Sequence, residues 1–178
     1  MTNTFEPTRA SSVLGKWVEE LYNSIFVQPD DQVSTNAFKN HVTEDFIARI
    51  NHDQFTRQTF MEAVLKFRVD NTTSIQSTRD IQIWEASDGS AAGCVAQYMH
   101  FTDTNKETGV GTKSSTLLIA SIKFIDGQRK LVDLTEVLKP SEFCVSIAAC
   151  LVLGRGILPD PYCINDSFEE GDAPASID

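Results

Sequence analysis

Tyr98 and His100 stand two residues apart in a run, residues 92–103, whose polar and apolar residues alternate. Residues i and i+2 of a strand share one face, so a phenol and an imidazole point the same way here. Such a pair is a hydrogen-bond donor beside a base. The phenol would polarise a carbonyl and the imidazole would take up the proton that the polarisation loosens. Two faces are open to the strand. Ala96, Tyr98 and His100 share one, and Val95, Gln97, Met99 and Phe101 share the other. If the first faces an interior cavity, the pair is a candidate catalytic site. If the Val95 face packs inward, the pair faces solvent.

His52 is followed by Asp53, a carboxylate able to orient the imidazole, although both are also ordinary turn residues. Further acidic candidates are Asp70, Asp133 and Glu136. Asp133 alternates with Leu131, Thr135 and Val137, so it becomes a buried carboxylate where that mainly apolar parity faces inward. A solvated surface carboxylate is the competing reading. Trp17, Tyr22, Phe60, Phe67, Trp84 and Phe101 are candidates to line a pocket for a ring-containing ligand, or equally to fill a core. Arg49, Arg68 and Arg79 sit near element ends, where they would meet a ligand's anionic group or simply solvent.

The chemistry that is excluded is as informative. Twenty-five acidic residues against fifteen basic ones give a formal charge of -10, which argues against a nucleic-acid partner, since such binding rests on Lys and Arg at phosphates. Cys94, Cys144, Cys150 and Cys163 have no CxxC or Cys/His ligand spacing, so no metal site is expected. No phosphate loop or nucleophile motif is present, and no cofactor is expected. No run reaches the ~18–20 apolar residues a membrane helix needs, and residues 1–10 lack a signal-peptide core. A cytoplasmic protein without membrane contact is the expectation.

The elements that must position these groups come in a distinctive order. Residues 11–27 carry Val13, Leu14, Trp17, Val18, Leu21, Tyr22, Ile25 and Phe26 at helical spacing, capped by Ser11 or Ser12. Pro29-Asp30-Asp31 breaks this helix. A shorter helix is expected over 35–43, a short strand over 45–51, and a third helix from Thr56 to about residue 68. The period then becomes two. Strands are expected over 74–86, with Ile75, Ile81 and Ile83 on one parity, then over 92–103, 114–125 and 129–138. Asp126-Gly127 is the strong hairpin signal between the last two.

Helices first and strands after suggests an α+β domain with helices on one face of a curved antiparallel sheet. The segments Asp45-Phe46-Ile47-Ala48-Arg49-Ile50-Asn51, Phe55-Thr56 with Phe60, Ile119-Ala120-Ser121-Ile122-Lys123-Phe124 and Asp126-Gly127-Gln128-Arg129-Lys130-Leu131 carry a resemblance over residues 11–139. The chain resembles the nuclear transport factor 2-like superfamily, and within it small SnoaL-like domain proteins. The resemblance implies a cone-shaped barrel whose sheet and three N-terminal helices enclose an apolar cavity, often in a homodimer formed through the sheet. It implies a small hydrophobic oxygenated metabolite as ligand. It further implies either a cofactor-free isomerase, dehydratase or cyclase working by proton transfer, or a non-catalytic binding or interaction module. The fold does not choose between them, and no catalytic residue carries over by motif. On the enzyme reading, His100 is the base and Tyr98 the donor, assisted by His52 or Asp133. Residues 1–10 are expected to be flexible, 140–165 to form an apolar extension packed on the domain, and 166–178 to be a disordered acidic tail.

Overall fold

The computed structural model describes residues 12–140. The expected flexible N-terminus, the extension beyond residue 140 and the acidic tail lie outside the described residues. Helix α1 spans Val13–Tyr22, a π-helical turn follows over Asn23–Val27, and α2 spans Asp31–His41. Strands β1 (Val42–Ile50) and β2 (Asp53–Thr56) precede α3 (Arg57–Asp70), after which β3 (Asn71–Glu85), β4 (Gly93–Asn105), β5 (Gly111–Ile125) and β6 (Gln128–Pro140) run in succession. The six strands form one sheet in the order β2-β1-β6-β5-β4-β3. Neighbours are antiparallel except β1 and β6, which are parallel. The expectation of an all-antiparallel sheet is corrected at this one seam, where the chain returns to β1 only after α3 and a four-strand meander.

Local chemistry sets the boundaries. The Ser12 hydroxyl caps α1 by accepting from the Gly15 amide at 2.9 Å. Helix α2 starts four residues before its expected position because the Asp30 carboxylate accepts from the Gln32 amide at 2.7 Å. Thr56 and Thr59 form a reciprocal capping box at the start of α3. Asp126 and Gly127 take φ of 51° and 79°, the mirror-image turn that a two-residue hairpin requires.

The inward sheet face and the helices share a core that includes Leu14, Val18 and Ile25 of the first helical stretch, Val95 and Met99 of β4, and Leu118 and Leu134 of β5 and β6. Phe60 packs against Phe38 and Phe46 with ring centroids 6.0 and 5.7 Å away. Helix α1 approaches the sheet so closely that a Cβ on Gly15 would lie 2.4 Å from the Asp80 carboxylate oxygens. That carboxylate accepts from the Ser12 amide at 2.9 Å, and the buried Gln97 amide bridges it to the Gly15 carbonyl at 2.7 and 3.0 Å. Bulges at Gln76 and Ile81 shift the parity of β3 twice. Ile75 and Ile83 therefore pack on the core while Ile81 is exposed, against the expectation that the three share a face. No helix among the described residues is long and apolar enough to cross a membrane.

Arg68 of α3 is buried and donates to the carbonyls of Ile25 and Phe26, each at 3.1 Å, and to that of Gln28. It also pairs with the exposed Asp31 at 2.9 Å. Replacing it in Arg68→Met strands the Phe26 and Gln28 carbonyls and leaves that of Ile25 to Ser34 alone, so unfolding free energy is expected to fall by about 3 kcal/mol. Asp31→Asn touches only an exposed partner and costs at most about 1 kcal/mol. Urea denaturation of the two variants measures the contrast, and equal losses would refute the assignment.

Candidate functional site

The cleft between helices and sheet starts where α1 ends. In the π turn the Gln28 amide reaches back five residues to the Asn23 carbonyl at 3.0 Å. Tyr22 precedes the turn and Phe26 lies within it, their ring centroids 5.2 Å apart, and both face the cleft. Phe60 of α3 forms the opposite wall. Ile75, Met99, Phe101 and Leu138 from three strands form an apolar floor, with Ile50 at its rim. The cleft encloses about 500 Å³ of unfilled space including its open mouth, of which only about 40 Å³ admits the centre of a water-sized atom. It is a slot that suits a flat or thin molecule. A second depression, lined by Glu44, Thr56, Arg57, Gln58 and Met61, is polar and open. Its Arg57 is already engaged with Glu44 and with the carbonyls of Lys39 and Val42.

Three polar side chains break the apolar lining at one end: Tyr22, Thr116 and Glu136. Glu136 is half-buried by its exposed surface because part of it opens into the cleft, while protein atoms surround it on the other sides. Burial pushes its carboxyl above the ordinary 4.5, partly offset by Thr116 and Tyr22. Burial also raises the Tyr22 hydroxyl well above 10, and the nearby Glu136 charge adds to the rise. The Tyr22 hydroxyl is fully buried without a partner at hydrogen-bonding distance, so Glu136 acts on it across a longer gap. Thr116 donates to the Val137 carbonyl at 3.2 Å. Asn51 holds this stretch of β6 in place: its side chain donates to the Leu138 carbonyl at 3.2 Å and accepts from the Leu138 amide at 3.0 Å.

At the other end, Thr73 lines the cleft and donates to Asp103 at 2.6 Å. Asp103 is 6% exposed, and burial raises its carboxyl from 3.8 to about 6, with the Thr73 bond working in the opposite direction.

The residues singled out from the sequence fall in different places. On β4 the Val95, Gln97, Met99 and Phe101 parity packs inward. Tyr98 and His100 stand edge-to-face at 4.8 Å on the opposite face, away from the cleft, which corrects the inward placement that their pairing as donor and base requires. His52 is exposed in the β1–β2 turn, with Asp53 starting β2. Asp133 lies on the outer face and pairs with Arg49 at 2.7 Å. A bulge at Val132 flips the parity of β6 after Leu131, so Leu134, Glu136 and Leu138 turn inward in its place. Of the expected pocket aromatics, Tyr22, Phe60 and Phe101 line the cleft. Trp17 packs at the core edge against His41, Phe67 is buried away from the lining, and Trp84 is exposed on the outer face. In the sequence Glu136 reads only as a strand acid. Its place between Leu134 and Leu138 was the one available signal.

Asp103 binds more protons folded than unfolded between pH 3.8 and about 6. Its contribution is therefore most favourable at the acid end of that window and is lost as pH rises through it, by about 3 kcal/mol in all. Glu136 adds a slope of the same sign above 4.5. Asp103→Asn is expected to lose its own part of the slope, so the stability difference between variant and parent grows in the variant's favour from pH 4 to 7. A pH-independent difference in urea midpoints would show that Asp103 titrates normally.

No known family model matches the chain, and no curated protein matches it. Its backbone is nevertheless similar to solved structures. One is a ketosteroid isomerase-like protein from Erwinia carotovora atroseptica, at TM-score 0.54 and 13% identity over 69% of this chain and 92% of that one. Another is a putative calcium/calmodulin-dependent protein kinase II association domain from Xanthomonas campestris, at 0.55 and 12% over 79% and 99%. A third is an NTF2-like protein of unknown function from an Exiguobacterium species, at 0.50 and 12% over 71% and 98%. Identities this low speak to backbone arrangement alone, and on that ground the chain has the nuclear transport factor 2-like fold.

Proposed function

We propose that the cleft binds a small, hydrophobic, oxygenated metabolite and that the protein is a cofactor-independent acid/base catalyst of the SnoaL-like kind, with isomerisation as its simplest reaction. The observation that carries this reading is one carboxyl and one phenol, Glu136 and Tyr22, near each other in a slot whose lining is mainly apolar. Ionised Glu136 removes a proton from the carbon beside a ligand carbonyl while the Tyr22 hydroxyl hydrogen-bonds the carbonyl oxygen as it gains charge. The protonated carboxyl then returns the proton to a different carbon, restoring the carboxylate. A carboxyl raised above 4.5 is a stronger base than an ordinary one, and the rate rises with pH through that raised pKa. Tyr22 keeps its proton throughout this range.

The outer sheet face supports a second element of the reading. Tyr98, Leu117 and Val137 lie side by side on β4, β5 and β6, with Ala96, Ile119 and Thr135 as the next row. Leu117, Ile119 and Val137 are 40%, 47% and 60% exposed. A contiguous apolar patch of this kind is a contact surface, and a second copy of the chain is its proposed occupant. A dimeric module without catalysis is the alternative function, favoured if the slot proves too narrow for a ligand.

Solvent deuterium exchange into a panel of cyclic ketones and enones, followed by proton NMR, tests the chemistry. Exchange by the parent protein is expected to fall at least 100-fold in Glu136→Gln and about as far in Tyr22→Phe, while Tyr98→Phe and His100→Ala retain it. Exchange no faster in the parent than in Glu136→Gln would sink the enzyme reading. For the dimer, sedimentation at micromolar concentration is expected to show two copies, reduced to one in the double variant Leu117→Lys/Ile119→Lys. A monomeric parent would dismiss the sheet interface.

A further inference from the structure

Two buried polar atoms beside Thr73 and Phe101, cleft-lining residues remote from Glu136, have no hydrogen-bond partner among the described residues: Asp103 Oδ2 and Ser114 Oγ, whose own residues stand just behind the lining. Asp103 is 6% and Ser114 5% exposed. Both belong to the inward face, on adjacent antiparallel strands. Asp103 is opposite Thr112, and Ser114 is opposite Phe101, so the two side chains are diagonal neighbours, about 7 Å apart or less. Phe101 precedes Asp103 by one inward step and lines the cleft. Thr73, opposite Asp103 on β3, also lines it and binds the other carboxylate oxygen at 2.6 Å. The apolar floor thus ends in a small polar corner with one carboxylate oxygen and one hydroxyl left unused. A buried polar group without a partner costs about 1–3 kcal/mol, more for a charged group, and such groups are rare enough in folded proteins that each calls for a reason.

We propose that this corner is a ligand subsite that receives a hydrogen-bond-donating terminus, an alcohol or an amine, on the apolar molecule whose body fills the cleft. The inference rests on the cleft being a ligand site, and it adds the ligand's shape and polarity. Glu136 pairs in register with Leu118 and, through it, Gln97, which lies three inward steps from Asp103 on β4. On a flat strand those steps span about 20 Å, and the curvature of the sheet shortens the path. The ligand is therefore elongated, with its reacting carbon near Glu136 and its donor group at Asp103. Asp103 Oδ2 accepts from that donor, Ser114 Oγ either accepts or donates, and Thr73 holds the other carboxylate oxygen. An anionic terminus is rejected, since it would bring a second negative charge against a buried carboxylate.

Calorimetric titration at pH 7.5 with 1-octanol, n-octylamine and octanoate, all below their aggregation concentrations, tests the subsite. The octanol and octylamine affinities are expected to exceed that of octanoate at least tenfold. In Asp103→Asn the preference is expected to shrink to about twofold, while Glu136→Gln, which removes the carboxyl at the other end, retains it. Ser114→Ala, which changes no charge, is expected to weaken octanol about fivefold and guards against misfolding in the Asp103 variant. If all three probes bind the parent equally, or if Asp103→Asn leaves the preference intact, the cleft stands as a ligand site and the subsite is overturned. If none binds, the cleft reading fails and the subsite with it.

Discussion

The guanidinium of Arg68 is the contact on which the site most depends. A π turn leaves carbonyls that the regular helical ladder does not satisfy, and Ile25, Phe26 and Gln28 present theirs to one buried cation on α3. Ser34 of α2 adds a bond to the Ile25 carbonyl at 2.7 Å, so three helical segments meet at one point. The Lys106 ammonium in turn binds the Arg68 carbonyl, and the Lys106 amide binds that of Asp70 at 2.7 Å, fastening the end of α3 to the β4–β5 loop. The position of the π turn decides where Tyr22 and Phe26 stand. Arg68 therefore shapes the wall of the cleft without touching it.

Bulges do for the sheet what Arg68 does for the helices. A strand of uniform pleat offers a fixed set of inward residues, and one extra residue exchanges that set for its complement. The bulge at Val132 exchanges Asp133 for Glu136 on the inner face of β6. The displaced Asp133 meets Arg49 on the outer face, where the pair is half exposed and adds little to stability. On β3, an edge strand, the two bulges also bend and interrupt a backbone that would otherwise be a long open edge for unwanted pairing.

Buried polar groups occur both at the cleft and away from it. Away from the cleft, the Gln97, Asp80 and Gly15 cluster locks α1 to the sheet, while Gln97 Oε1 and the Thr43 and Thr78 hydroxyls are buried unbonded. Around the cleft, Tyr22, Asp103 and Ser114 keep buried atoms unbonded, and two carboxyls are held above their ordinary pKa by burial. Each such group lowers stability. Under the proposed function, the two carboxyls and the Tyr22 hydroxyl along the cleft are the groups that would exchange stability for recognition and proton transfer.

How much was legible in the sequence follows from which interactions are local. Helical periodicity, the Ser12 and Thr56 caps, the break at Pro29 and the Asp126-Gly127 turn each depend on a few consecutive residues, and they specified the helix-then-sheet order and the α+β class. Tyr22, Phe60 and Phe101 could be named as pocket aromatics because large apolar rings must be buried somewhere. The inward face of each strand could not be named. It depends on which side the helices pack and on where a neighbouring strand forces an extra residue, and both are set by contacts far apart in sequence. Tyr98 and His100 went outward because the Val95 parity of β4 buries more apolar surface, and Glu136 replaced Asp133 because β5 and β6 differ by one residue in length across the bulge. Composition and local spacing thus determined the fold class and the supply of reactive groups, while only the tertiary structure decided which of them share an environment dry enough to change their chemistry.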